Sequence, residues 1–368
     1  MRSRARRVVA RLAVMAVTLV ACAAAVEVFV RLTYRPVVFR IDRKYYQAEP
    51  WPFSFRFIPE QTVFVPIPEV AGGGLTVPLN RHGLRGPDLD ELAGRRIRVV
   101  SIGDSFTFGW GLHDLGEQCV VGAIDDYRRA RPGRDVGLSV VAEPGWGMTD
   151  YFFAYVSLAR AARPQLVVLG FFCGDDLASP GSISAIGAGT PPAKPWSQSR
   201  SAFRSATLEW VRGRVRGSPV LTRFALAAGY RPSIELMRFL RNEPEPIPTM
   251  WRETLSLMSA LHAEIERDGG RLAIVSYPSL IQVFAYDQLD DARFDYRLID
   301  ERLAEFCRSR GIAFVPLLPA LIADGRLDLF FARDRHLTPR GHAVCRQVIV
   351  EALTPVLDEI DRSAPASP

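Results

Sequence analysis

Cysteine and histidine are both scarce, at five residues each in a chain of 368. The cysteines (Cys22, Cys119, Cys173, Cys307 and Cys345) are widely spaced and form no Cys-x-x-Cys pair. That argues against a structural zinc site or a dense disulfide framework, and the odd count leaves at least one thiol unbridged. They read as small buried apolar side chains. No His-Glu-x-x-His occurs, and His82, His113 and His262 stand in no ligand pattern with nearby acids or cysteines. His342 falls within the last helical pattern, so no metal or other cofactor is expected. The run Gly72-Gly73-Gly74 lacks the Gly-Lys-Ser/Thr of a phosphate loop and reads as a flexible turn.

An excess of one charge is also missing from most of the chain. The net charge is +6, but Arg2, Arg4, Arg6, Arg7, Arg11, Arg31 and Arg35, set against Glu27 alone, account for all of it. Removing these from the totals of 46 basic and 40 acidic residues leaves 39 of each, so the body offers no net-charge case for nucleic acid. With 48% hydrophobic and 23% charged residues, the composition is globular rather than disordered or multi-spanning. The length allows two domains or one large α/β domain with insertions.

One long apolar run is present. Residues 12–30, LAVMAVTLVACAAAVEVFV, hold a single charge, Glu27, and as a helix rising ~1.5 Å per residue they would span about 28 Å. The arginines of residues 1–11 resemble the basic region of a secretory signal, while the run exceeds a usual signal core. Residues 12–32 are therefore read as an uncleaved signal-anchor, with the body on the extracytoplasmic side. Arg31, Arg35, Arg40, Arg43 and Lys44 follow the run closely, bringing the positive-inside count near a tie; the short N-terminal tail decides the orientation. Leu19-Val20-Ala21-Cys22 also fits a lipobox with lipidation at Cys22, although the apolar run continues past it. Glu27 and Arg31, one helical turn apart, are placed to pair.

Residues 33–95, with their prolines, aromatics and short β-like runs, read as a connecting or capping region. Strands and helices alternate from residue 96. RIRVVSIG, VGLSVVA, QLVVLGFF, RLAIVSYP and IAFVPL read as strands; Glu117–Arg131, Asp150–Ala162, Thr249–Asp268, Tyr296–Arg310 and Pro339 to about Ile360 read as helices. A Ser/Gly/Pro-rich insertion at about 178–248 interrupts them, with helical patterns around Phe203–Val215 and Val220–Leu240, and residues 362–368 read as a disordered tail. The alternation predicts a three-layer α/β/α domain over 96–361, built on a parallel sheet of about five strands. Sites belong beyond the carboxyl ends of those strands.

Ser105, in Ile102-Gly103-Asp104-Ser105-Phe106-Thr107, stands at such an end, directly after the first sheet strand. A serine hydroxyl needs an adjacent base, itself oriented by a third group. Asp334-Arg335-His336 supplies both: in an extended loop, residues two apart project to one side, bringing the carboxylate to the imidazole. Thr338-Pro339 already provides a helix start, so capping does not account for Asp334. Trp110, in Gly109-Trp110-Gly111 just after Ser105, and Trp146, in Pro144-Gly145-Trp146-Gly147 after the second sheet strand, line an acyl or sugar pocket or pack as aromatic wall.

In these blocks the chain resembles the GDSL/SGNH hydrolase family of esterases, lipases and acyltransferases, over residues 96 to about 350. The resemblance implies a flavodoxin-like fold, with Ser105 as nucleophile and Asp334 and His336 completing the triad. It also implies an oxyanion site of the Ser105 N–H, the Gly145 N–H from Pro144-Gly145-Trp146-Gly147, and the side chain at position 175. Three features depart from the family pattern. Val140 replaces the usual Asn of the second block, Asp334-x-His336 is a variant of Asp-x-x-His, and Gly174-Asp175-Asp176 stands where the family has Gly-Asn-Asp. An ionised Asp175 would accept hydrogen bonds only and repel an oxyanion. Three possibilities follow: Asp175 stays protonated and donates, the two backbone N–H groups suffice, or hydrolysis is weak. The anchor and Asn80–Arg85 also look like anchored bacterial members. The resemblance implies an ester-bearing small molecule, lipid or glycan as substrate. Hydrolysis by an acyl-enzyme, acyl transfer to an envelope polysaccharide, and a weakly catalytic glycan-binding scaffold are the functions carried forward.

Overall fold

β-Branched and aromatic residues concentrate in five short runs after residue 96, and all five become strands of one sheet. The computed structural model describes residues 2–33, 41–48, 52–178, 181–187, 205, 207, 208, 210, 211, 224, 228 and 234–363. Two strands precede the sheet, β1 (Thr62–Pro66) and β2 (Gly74–Pro78), paired as an antiparallel hairpin. The sheet itself comprises β3 (Ile97–Gly103), β4 (Val136–Ala142), β5 (Leu166–Phe172), β6 (Arg271–Tyr277) and β7 (Ala313–Pro316). Its order is β4-β3-β5-β6-β7, parallel throughout. The chain leaves β3 toward β4 and then crosses to β5 on the other side. The carboxyl end of β3 is thus the topological switch point, where such folds place their ligands.

Helices cover both faces, giving the three-layer α/β/α arrangement expected from the sequence. Alternate residues of each strand supply the two cores, as the two-residue pleat requires. Val100, Ile102, Val167, Leu169 and Phe171 pack with α4 (Met148–Ser157) and α5 (Ile247–Arg267), and α6 (Leu298–Arg308) joins the same core. Val99, Val168 and Val275 face the opposite core, which holds α3 (Cys119–Ala130) and the C-terminal α7 (Pro339–Ser363). The hairpin's inward residues Val63, Val65, Leu75 and Val77 share a third core with Phe108, Trp110, Val140 and Ala142. The region before residue 95 is therefore packed onto the edge strand and the loop that follows Ser105.

Several element ends differ from the sequence reading, for local reasons. The helix expected from Glu117 begins at Cys119 because the Gln118 side chain caps it, accepting from Val120 N at 2.8 Å and Val121 N at 3.0 Å. The helix expected over Asp150–Ala162 starts earlier, with the Gly147 N–H donating to Asp150, and breaks at Leu158 into a separate 3-10 turn. α7 runs on to Ser363. In the insertion, Ser182–Gly187 and Ile234–Met237 are helical. Chain direction turns after Met237, short of the Leu240 expected, and most of Phe203–Val215 and Val220–Leu240 lies outside the described residues.

At the N-terminus, α1 (Arg2–Thr33) is one continuous helix. Its segment Arg11–Thr33 is long and apolar enough to cross a membrane, and almost none of it is buried against the rest of the chain. The Glu27–Arg31 pairing is present, with Arg31 Nε donating to Glu27 Oε1 at 2.8 Å. Among the described residues no cysteine is bridged; Cys119, Cys173, Cys307 and Cys345 are buried, and Cys22 is exposed on α1.

Candidate active site

β3 ends at Gly103, and the chain turns at once into the short helix α2 (Ser105–Phe108). Asp104 caps this turn through Oδ1, which accepts from Phe106 N at 2.9 Å. Gly103 is required by close packing: a Cβ there would lie 2.1 Å from Thr107 Oγ1. Ser105 thus projects from the strand end and, at the first position of a helix, keeps one of the N–H groups with no partner inside the helix.

The imidazole arrives from 231 residues further along: His336 Nε2 lies 2.7 Å from Ser105 Oγ. Its Nδ1 is hydrogen-bonded to Asp334 Oδ1, so serine, imidazole and carboxylate form one connected chain. The loop achieves this differently from the extended geometry expected. Arg335 adopts a left-handed conformation (φ 76°), and the turn is closed by Arg335 N to Phe331 O at 2.8 Å and Phe331 N to His336 O at 2.9 Å. His336 N also donates to Asp334 Oδ1 at 3.2 Å. The tight turn, rather than strand alternation, lets an acid two residues before the histidine meet its ring.

Residues that the sequence reading did not place in this role hold the acid. Trp110 Nε1 donates to Asp334 Oδ2 at 2.7 Å. The Glu69 carboxylate, from the hairpin's connecting loop, accepts from Asp334 N at 2.8 Å and from Arg333 N at 3.0 and 3.1 Å. The rings of Phe106 and Trp110 flank the imidazole, with centroids 4.9 and 5.4 Å away. Trp110 is therefore a partner of the acid. Trp146 is buried wall, stacked on Phe53 and donating to Phe55 O at 2.9 Å. The only sequence signal for Trp110 was its position between two glycines just after Ser105.

The two other expected oxyanion positions follow β4 and β5, the strands on either side of β3. Gly145 is exposed, with φ 93°. The Asp175 carboxyl is 91% exposed and faces the buried Arg238 guanidinium at 3.7 Å; Arg238 also donates to the carbonyls of Cys173 and Gly174. Its neighbour Asp176 is the buried acid, accepting from Tyr151 Oη at 2.7 Å and Phe172 N at 2.6 Å. Burial raises the Asp176 pKa well above the usual carboxylate range, and nearby Asp104 adds to that. Asp104 is pushed up to about 6 by its own burial, opposed by the Phe106 N–H and by His336.

Two further buried carboxyls fasten the segment before the hairpin to the Gly145 loop. Glu143 accepts from Phe57 N at 3.1 and 3.0 Å, and Asp150 accepts from Ser54 N at 2.7 Å and Ser54 Oγ at 2.9 Å. Their burial raises them to about 8 and about 6 respectively. His342 is a core residue, accepting from Cys119 N at 3.3 Å and held neutral by burial, which lowers it to about 3. Among the described residues, no three His, Cys, Asp or Glu side chains come together as a metal site.

No family model and no curated protein matches the chain. Solved structures similar to it include a catalytic mutant of Axe2, an acetylxylan esterase from Geobacillus stearothermophilus, at 13% identity and TM-score 0.41, covering 71% of this chain and 94% of that one. LAE5, an α/β hydrolase enzyme from the metagenome of Lake Arreo, Spain, overlaps at 15% identity and TM-score 0.42, covering 72% and 97%. The psychrotrophic esterase EstA from Pseudoalteromonas sp., inhibited by monoethylphosphonate, overlaps at 10% and 0.39, covering 71% and 98%. Likeness at this distance assigns neither a reaction nor a substrate.

Proposed function

We propose that this chain is a membrane-anchored serine hydrolase of carboxylic esters, acting through an acyl-enzyme on Ser105. The observation that carries this reading is the connected chain from Asp334 through His336 to Ser105, with Nε2 2.7 Å from the hydroxyl oxygen. Ser105 Oγ attacks the ester carbonyl while its proton passes to His336 Nε2, and Asp334 stabilises the resulting imidazolium. The oxyanion is received by the N–H groups of Ser105 and Gly145. The Asp175 carboxylate is turned outward with its charge offset by Arg238, leaving the backbone donors to act without its side chain. His336 returns the proton to the leaving alcohol. A water then attacks the acyl carbon, giving its proton to His336; the carboxylic acid leaves and the proton returns to Ser105.

α1 anchors the enzyme, with the body on the extracytoplasmic side. The apolar run that continues past Cys22 favours a signal-anchor over lipidation at that residue. Acyl or acetyl esters of envelope glycans or lipids suit that location. Hydrolysis of an activated acetyl ester by the full-length chain in detergent tests the reading. Turnover is expected to fall on the order of 10⁴-fold in Ser105→Ala, and equal turnover would overturn it. Adding glycan acceptors to the same assay separates water from a sugar hydroxyl as the acyl acceptor: acylated glycan in place of free acetate identifies a transferase using the same triad.

A further inference from the structure

The Asn80–Arg85 motif has no part in the chemistry above, yet it is built with unusual care. Asn80 Oδ1 accepts from His82 N at 2.9 Å and Leu84 N at 3.0 Å, and its amide nitrogen donates to Gly86 O at 3.1 Å. The turn so formed delivers Arg85 into the interior. There its guanidinium donates to four backbone carbonyls: Phe108 at 3.1 Å, Gly109 at 2.8 Å, Leu112 at 2.7 Å and His113 at 3.3 Å. A buried arginine is costly to desolvate and is stable only when its donors are met. Here they are met by a single loop, which the guanidinium ties into one shape.

That loop carries Trp110. Gly109 (φ 75°) and Gly111 (φ 85°) flank it in conformations that L side chains rarely adopt, and a Cβ on Gly111 would lie 2.4 Å from the ring of Phe331. The glycines let the loop turn the indole inward, flat beside the His336 ring, with its N–H on Asp334 Oδ2. Asp334 Oδ1 serves the histidine; Oδ2 receives the indole. A carboxylate fixed at both oxygens cannot rotate away from the imidazole, and its second oxygen is not left as an unsatisfied buried acceptor.

We propose that Trp110 is a positioning residue that locks the Asp334 carboxylate toward His336, and that Arg85 of the capping region holds the loop that presents it. This rests on the triad reading above. The capping region is thereby part of the active site's construction: an element between the membrane anchor and the sheet sets the orientation of the acid.

The test uses the full-length chain in detergent, with active sites counted by fluorophosphonate labelling and turnover measured on an activated acetyl ester. Trp110→Phe removes the N–H and keeps a ring; benzothienylalanine at position 110 keeps the bicyclic shape and replaces the N–H by sulfur, so folding is preserved. Both are expected to lower kcat per labelled site by about tenfold or more, the loss of a hydrogen bond to a charged group, with KM changed less than about twofold. Arg85→Lys, which cannot reach four carbonyls, is expected to shift kcat in the same direction with the same split. Parental kcat per site in the benzothienylalanine protein overturns the proposal, as does a rise in KM at unchanged kcat, which would make the indole a pocket wall. If the parent labels at Ser105 and these variants behave as parent, this inference alone fails; if the parent does not label at Ser105, the triad reading fails and takes this one with it.

Discussion

The two sides of Ser105 are built in opposite ways. On the acid–base side, His336 is held between Ser105 and Asp334, and Asp334 is held by Trp110 on its side chain and Glu69 on its backbone. On the proposed oxyanion side, Gly145 is exposed and the Asp175 carboxyl points outward against Arg238. The first side is made of side chains whose charged atoms have partners; the second, in the function proposed above, acts through backbone donors. Substitutions should therefore be severe and specific on the first side, and on the second should depend on whether they disturb the backbone.

The largest expected effect is at the base. His336→Ala is expected to reduce ester turnover on the order of 10⁴-fold or more, measured against the labelled fraction of enzyme; a loss below about tenfold would remove the contrast between the sides. Next is Gly145→Ala, where a Cβ must tolerate φ 93° and sits 3.3 Å from the Phe55 ring. Displacing one oxyanion donor is worth roughly 10²-fold in kcat, and an unchanged kcat would exclude Gly145 from that role.

Asp175 sharpens the comparison further. Asp175→Asn removes a charge that Arg238 already offsets, so kcat is expected to rise by less than about tenfold; a clear loss would show that the carboxyl contributes. Arg238→Met leaves the carboxylate uncompensated and also frees the Cys173 and Gly174 carbonyls; it is expected to lower kcat several-fold, and Asp175→Asn to restore part of that loss in the double mutant. Independent effects of the two substitutions would show that the pair does not act as a unit.

The smallest effect on rate, and the clearest on stability, lies at Glu143. Burial raises its pKa from 4.5 to about 8, so the native chain keeps a proton that the unfolded chain gives up. That contribution to stability is complete below the unfolded value and is lost as pH rises through about 8. Asp150, raised from 3.8 to about 6, acts with the same sign over a lower window. Above about pH 6.5, where His342 no longer titrates with the opposite sign, the thermal midpoint of the parent is therefore expected to fall toward about pH 8, and Glu143→Gln to flatten that fall. A parent midpoint that falls no more steeply than that of Glu143→Gln between about pH 6.5 and pH 8 would contradict the assignment.

Much of this was legible in the chain and some was not, for physical reasons. The five strands announce themselves by β-branched runs, Ser105 by standing at the end of the first, and Asp334 and His336 by their spacing before a capped helix. The left-handed turn at Arg335 was invisible, because arginine carries no preference for that conformation and the surrounding loop imposes it. From the sequence Trp110 reads as a pocket or packing aromatic, because its partner lies 224 residues away. Arg85 stands out in the sequence only as part of a motif, since its bonds run to backbone carbonyls that any residue type supplies. Long-range polar pairing leaves no periodicity to read.

The most direct test of the central claim is fluorophosphonate labelling of the full-length protein followed by peptide mass analysis. A single adduct on the peptide carrying Ser105, absent in Ser105→Ala and slowed by orders of magnitude in His336→Ala, is the result expected of an activated nucleophile. No adduct, or one on a different serine, would contradict it.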